Sequence, residues 1–134
     1  MLLCEDVLRI VEHRNQHIVE VIYPKPALTA LQHADYTIRI KQVIEKQHGA
    51  WGLLVDQRAL SKLDEKLKDK TLTLYGYALK RGMTCSARIV NTSVEALRLA
   101  DLVRRTELRS LLRVFTERKE AFDWLSATLR ADSA

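Results

Sequence analysis

Little in this chain marks a familiar chemistry. Its two cysteines, Cys4 and Cys85, lie far apart without CxxC spacing, which excludes a zinc ribbon and a thioredoxin-type motif and fits a reduced, cytoplasmic protein. Four glycines and two prolines leave room for few loops. Aromatic residues are 6% of the chain and scattered, which does not suit a base-stacking platform. No apolar run approaches the roughly 18 residues of a membrane span, and the start, Met1 to Asp6, lacks the basic region of a secretion signal. GxGxxG, GxxxxGK[ST], GxSxG and HExxH are all missing, so phosphate cradles, nucleophile elbows and paired helical metal ligands have no support. His13, His17, His33 and His48 form no ligand spacing.

What is present describes an ordinary globular domain. The 134 residues, 47% hydrophobic and 29% charged, suit a single domain over 1–134 with one core. The net charge is +5, and a basic surface attracts nucleic acid, anionic lipid or acidic protein without choosing among them. The densest basic stretch runs from Arg98 to Lys119, where a solvated helix face is the simpler reading.

Periodicity predicts the order ββαβαβαβα. Val7 to Glu12 and His17 to Tyr23 read as a hairpin around Arg14, Asn15 and Gln16, stopped by Pro24 and Pro26. Thr29 is placed to cap a helix reaching about His48. Two of its faces compete, one with Leu31, Ala34 and Ile38, the other with Tyr36, Ile40, Val43 and Ile44. Gly49 ends it. Leu53, Leu54 and Val55 are apolar without alternation, as in a strand covered on both faces.

Ser61 and Asp64 have capping-box spacing before a helix carrying Leu67, Thr71, Leu74, Tyr75, Ala78, Leu79 and Met83 on one face, with a break expected near Asp69 and an end at Gly82. Cys85 to Val90 follows as a strand. Thr92 and Glu95 repeat the capping box ahead of Val94, Leu97, Ala100 and Val103. Leu111 to Phe115 makes the last strand, and Thr116 is placed to cap a helix with Ala121, Phe122, Leu125 and Leu129 on one face. Strand and helix alternating after a hairpin predict an α/β fold with a mixed sheet of about five strands and about four helices.

The segment from Trp51 to Glu65 is the candidate site, because an apolar strand there delivers Asp56 to its carboxyl end just before a helix N-terminus. Ser61 and Asp64 read as caps, and Asp64 and Glu65 also complement the helix dipole. Asp56 has no such local explanation. No nucleophile with a base is identifiable, so no enzyme and no cofactor is expected.

The element order, Gly52 to Asp56 before the second helix, Ala87 to Val90 as the next strand, and Arg113, Val114 and Phe115 followed by Ala121, Trp124 and Leu125 resemble the STAS-like proteins, relatives of the bacterial anti-sigma-factor antagonists. The resemblance runs over roughly Ile18 to Leu125 and implies a single STAS-like domain. In the antagonists, an Asp-Ser pair at the helix N-terminus carries the phosphorylated serine. Asp64 and Glu65 match that pair here, which removes the phosphoacceptor and leaves a permanent charge, only partly imitating phosphate. The resemblance therefore implies a non-catalytic binding module presenting Asp56, Ser61, Asp64 and Glu65 to an unidentified protein partner, without the serine switch. The alternatives are a small apolar ligand between sheet and helices, at Leu67, Leu74 and Tyr75, and nucleic acid along Arg98 to Lys119.

Overall fold

The computed structural model describes residues 8–24, 30–58 and 65–133. Five strands and four helices follow the predicted order: β1 (Arg9–His13), β2 (Ile18–Ile22), α1 (Ala30–Glu45), β3 (Trp51–Asp56), α2 (Glu65–Lys80), β4 (Met83–Ile89), α3 (Ser93–Arg104), β5 (Leu112–Phe115) and α4 (Arg118–Ser133). A short 3-10 turn over Glu107–Ser110 leads into β5. The sheet order is β1-β2-β3-β4-β5, with β1 antiparallel to β2 and the rest parallel. This is the mixed α/β sheet that the sequence predicts.

Strands β2 to β5 step in one direction, so crossovers of a single hand place their helices on one face. On that face Tyr36, Ile40 and Ile44 of α1 and Leu74, Tyr75 and Ala78 of α2 pack with Val19, Val21, Trp51, Leu53 and Val55, and Val103 of α3 joins them. The opposite face is covered by α4, whose Ala121, Leu125 and Leu129 pack on Ile18, Leu54, Cys85, Ala87 and Ile89. Central β3 is buried along its whole length, as its unalternating sequence requires. Gly52 lets α4 come close: a Cβ there would sit 3.2 Å from Cys85 Sγ and 3.2 Å from Leu125 Cδ2. Gly82, with φ +100, turns the chain into β4 where a Cβ would meet the Gly49 carbonyl.

The structure chooses between the two faces of α1. Tyr36, Ile40 and Ile44 are buried while Ile38 is exposed, because the sheet presents its apolar side chains to only one stripe of the helix. Several boundaries also differ from the sequence reading. His17 adopts φ 59 and closes a four-residue turn from Arg14, so β2 begins at Ile18 and not at His17. Helix α2 continues through Asp69 without a break, and Met83 opens β4 instead of ending the helix.

Helix α3 departs most from expectation. Val94 and Leu97 are 58% and 73% exposed, and the partly covered side is Ala96, Leu99, Ala100 and Val103. The helix lies beside β5, a four-residue edge strand too short to cover a wide stripe. Its start is as predicted: the Thr92 hydroxyl accepts from Glu95 N, although the Glu95 carboxylate accepts in turn from Asn91 N and not from Thr92 N. Helix α4 begins at Arg118 with Ala121 N bonded to the Glu117 carbonyl, so the capping position is Glu117 and not Thr116. That start puts Arg118 in the first turn, where it reaches β2. The expected caps at Thr29 and Ser61 lie outside the described residues.

Candidate functional site at the carboxyl edge of the sheet

Strand alternation divides the end of β3 between two faces. Leu53 and Val55 face α1 and α2 and Leu54 faces α4, so Asp56 turns toward α4 and Gln57 toward α2. Each belongs to a separate polar cluster.

On the α4 side, Asp56 is 8% exposed and is occupied by Arg58. Its Oδ1 accepts from Arg58 N at 3.1 Å and Nε at 3.0 Å, and its Oδ2 from Nη2 at 2.8 Å. The hydrogen bonding to Asp56, ahead of the opposing effect of burial, raises the Arg58 pKa above its ordinary value. The Asn91 side-chain amide donates to the Arg58 carbonyl, tying this turn to the segment after β4. Asp56 is thus a local counter-charge that fixes Arg58, whose side chain stays 40% exposed.

Deeper on the same face lies Glu20, 2% exposed in the middle of β2. Arg118 of α4 forks onto its carboxylate, Nε to Oε2 at 2.7 Å and Nη2 to Oε1 at 2.8 Å. His13 Nε2 lies 2.8 Å from Oε1. An ionised carboxylate only accepts, so Nε2 carries the hydrogen in this bond. Burial pushes the Glu20 pKa up, but the hydrogen bonds from Arg118 and His13, with their charges, outweigh it and leave the carboxyl below its usual value. Phe122 packs edge-on against the His13 ring and lies under the Arg118 guanidinium.

On the α2 side, β4 turns Ser86 and Arg88 toward the helix, since Cys85, Ala87 and Ile89 face α4. Arg88 is 6% exposed. It donates from Nε to the Tyr75 hydroxyl at 2.8 Å and from Nη1 to Gln57 Oε1 at 2.7 Å. The Ser86 hydroxyl lies 3.0 Å from the Leu53 carbonyl and 3.2 Å from the Tyr75 oxygen. Because the carbonyl can only accept, Ser86 directs its one hydrogen there, and the Tyr75 hydrogen is left to point at Ser86. Ser86 therefore serves as a relay in a polar network. Tyr23, just after β2, feels the same cluster: burial raises its pKa, the Arg88 charge opposes that, and Tyr75 adds to it.

Of the residues singled out in the sequence, Asp56 sits in the first cluster. Ser61 and Asp64 lie outside the described residues, and Glu65 is the first residue of α2. Gln57 and Arg58 lay inside the candidate segment without a role, Arg118 was counted only in the basic stretch, and Glu20 and Arg88 were not anticipated. Their signal was present in two places, a glutamate within Ile18 to Ile22 and an arginine within Ala87 to Val90, where a charge interrupts an apolar strand and so must be buried with partners. Within the Arg98 to Lys119 stretch, Arg104 and Arg105 share Asp101, while Arg118 reaches Glu20 and Lys119 reaches Asp123. Arg113 lies over the Trp124 ring, which packs on Phe115.

Among the described residues, no three His, Cys, Asp or Glu side chains converge as metal ligands, and no helix is long and apolar enough to cross a membrane. The chain matches no family model and no curated protein.

Proposed function

We propose that this chain is a non-catalytic STAS-like binding module, acting in the cytoplasm, that presents the carboxyl edge of β3, from Asp56 to Glu65, to a protein partner. The observation that carries this reading is the Asp56–Arg58 pair. Two hydrogen bonds from the guanidinium and one from the Arg58 backbone N–H to the same carboxylate hold a partly exposed side chain in one orientation. A side chain already ordered loses less rotamer freedom on binding, and arginine is enriched at the centres of protein interfaces.

The contact surface then differs from the purely acidic one that the sequence suggests. Asp56 positions Arg58, while Asp64 and Glu65 follow it in the chain. The STAS resemblance puts Glu65 at the antagonists' serine, so the contact would be constitutive.

Site-specific photocrosslinking in cells tests this reading. A photoreactive residue at Glu117, an exposed position whose charge acts on Arg58, should give a discrete protein adduct that weakens when Arg58→Ala is added, whereas the same probe at Arg14, in the turn at the opposite end of β2, should not. Equal adducts from both positions would remove the reading.

A further inference from the structure

A buried guanidinium is expensive unless a counter-charge lies beside it. Glu20 and Asp56 each have an arginine, but Arg88 has no carboxylate partner among the described side chains, which leave out those of 30–33 and 65–72. Its two hydrogen-bond partners, Tyr75 and Gln57, are both neutral. A guanidinium has five N–H donors in a fixed fork; only Nε and one on Nη1 are used, and Nη2 has no partner among the described residues. On the same face Val55 is the cross-strand neighbour of Arg88, and the guanidinium carbon lies 5.2 Å from the centre of the Tyr75 ring.

We propose that Arg88, with Tyr75, Gln57 and Tyr23, forms a seat for the carboxylate of a small organic acid bound between the sheet and α2. The remaining edge of the fork suits the two oxygens of a carboxylate. One cation matches a monoanion; a phosphate, at about −1.5 to −2, would leave charge uncompensated. Val55 and the tyrosine rings favour a ligand whose body is aromatic or aliphatic. The seat is on the α2 side of β3, across the sheet from Asp56 and Arg58, and shares only Gln57 with the partner segment, so carboxylate binding by the chain alone is tested apart from the partner reading.

NMR titration of the full chain with benzoate and with octanoate, following the Arg88 Nε–H signal and backbone amides, tests the proposal. Either carboxylate should shift the Arg88 signal saturably, and Arg88→Met should weaken binding at least tenfold with helical circular dichroism retained. Tyr75→Phe should weaken it several-fold by releasing Nε, which keeps the test open if Arg88→Met fails to fold. An unmoved Arg88 signal with both acids would overturn the seat. Binding that appears only in Asp64→Asn/Glu65→Gln would also overturn it, by showing that the chain's own acids fill the place. Displacement by equimolar inorganic phosphate would defeat the assignment to carboxylates.

Discussion

Glu20 and Arg118, 98 residues apart in sequence, meet as a two-pronged ion pair that fastens the first turn of α4 to the middle of β2. An arginine in a helix's first turn faces the positive end of the dipole, and the pairing with Glu20 offsets that. The two partners are unequal: the Glu20 side chain is 3% exposed and that of Arg118 43%.

That inequality predicts an asymmetric response. Arg118→Met strands a carboxylate in the core with His13 as its remaining hydrogen-bond partner, so it should cost about 2–4 kcal/mol, toward the lower part of the range for a broken buried pair. Glu20→Gln leaves an arginine that can turn to water and should cost about 1 kcal/mol. Urea denaturation of both variants checks the order, and equal losses would contradict it.

The same pair sets a pH dependence. Because the folded Glu20 pKa lies below the ordinary 4.5, the unfolded chain binds more protons in that range and stability rises with pH. Its contribution is complete above about 4.5 and is lost as pH falls through the lower folded value. The stability gap between wild type and Glu20→Gln should therefore narrow on acidification from pH 6 to pH 3. A constant gap would mean that Glu20 is not ionised in the fold.

Two glycines should respond with opposite signs. Gly52→Ala puts a methyl 3.2 Å from Cys85 Sγ and Leu125 Cδ2 and should destabilise by about 1–3 kcal/mol through overpacking. Gly76→Ala, within α2 where a Cβ meets nothing within 4 Å, should stabilise by about 0.5–1 kcal/mol. Thermal melts of the two variants should move in opposite directions.

Thr92→Ala should loosen α3 without unfolding the sheet. The cap is worth about 1 kcal/mol, and α3 has no buried residue to compensate. Hydrogen exchange should speed up at the amides of Glu95 to Leu99 while those of β3 stay protected.

Local rules determined much of this architecture. Apolar runs in β3 and β4, the Thr92 cap with Glu95 and the 3.6-residue stripe of α4 identify their elements because each signal arises within one turn or one strand of chain. Element order followed from these signals. Asp56 stood out for the same reason: it ends a strand and had no local role.

Tertiary structure decided which surfaces those elements use. The sequence offered α1 two faces, and only the direction of the sheet selected Tyr36, Ile40 and Ile44 over Ile38. It gave α3 an apolar stripe, but a short edge strand left Val94 and Leu97 in solvent. The polar clusters lay furthest from view, since Glu20 with Arg118 and Gln57 with Arg88 join residues far apart in the chain. A buried charge is legible in sequence as a charge in an apolar strand, but its partner is chosen by the packing of whole elements. Hence Asp56 could be found from the sequence and its partner Arg58 lies only two residues away, whereas the neutral surroundings of Arg88 came only with the fold.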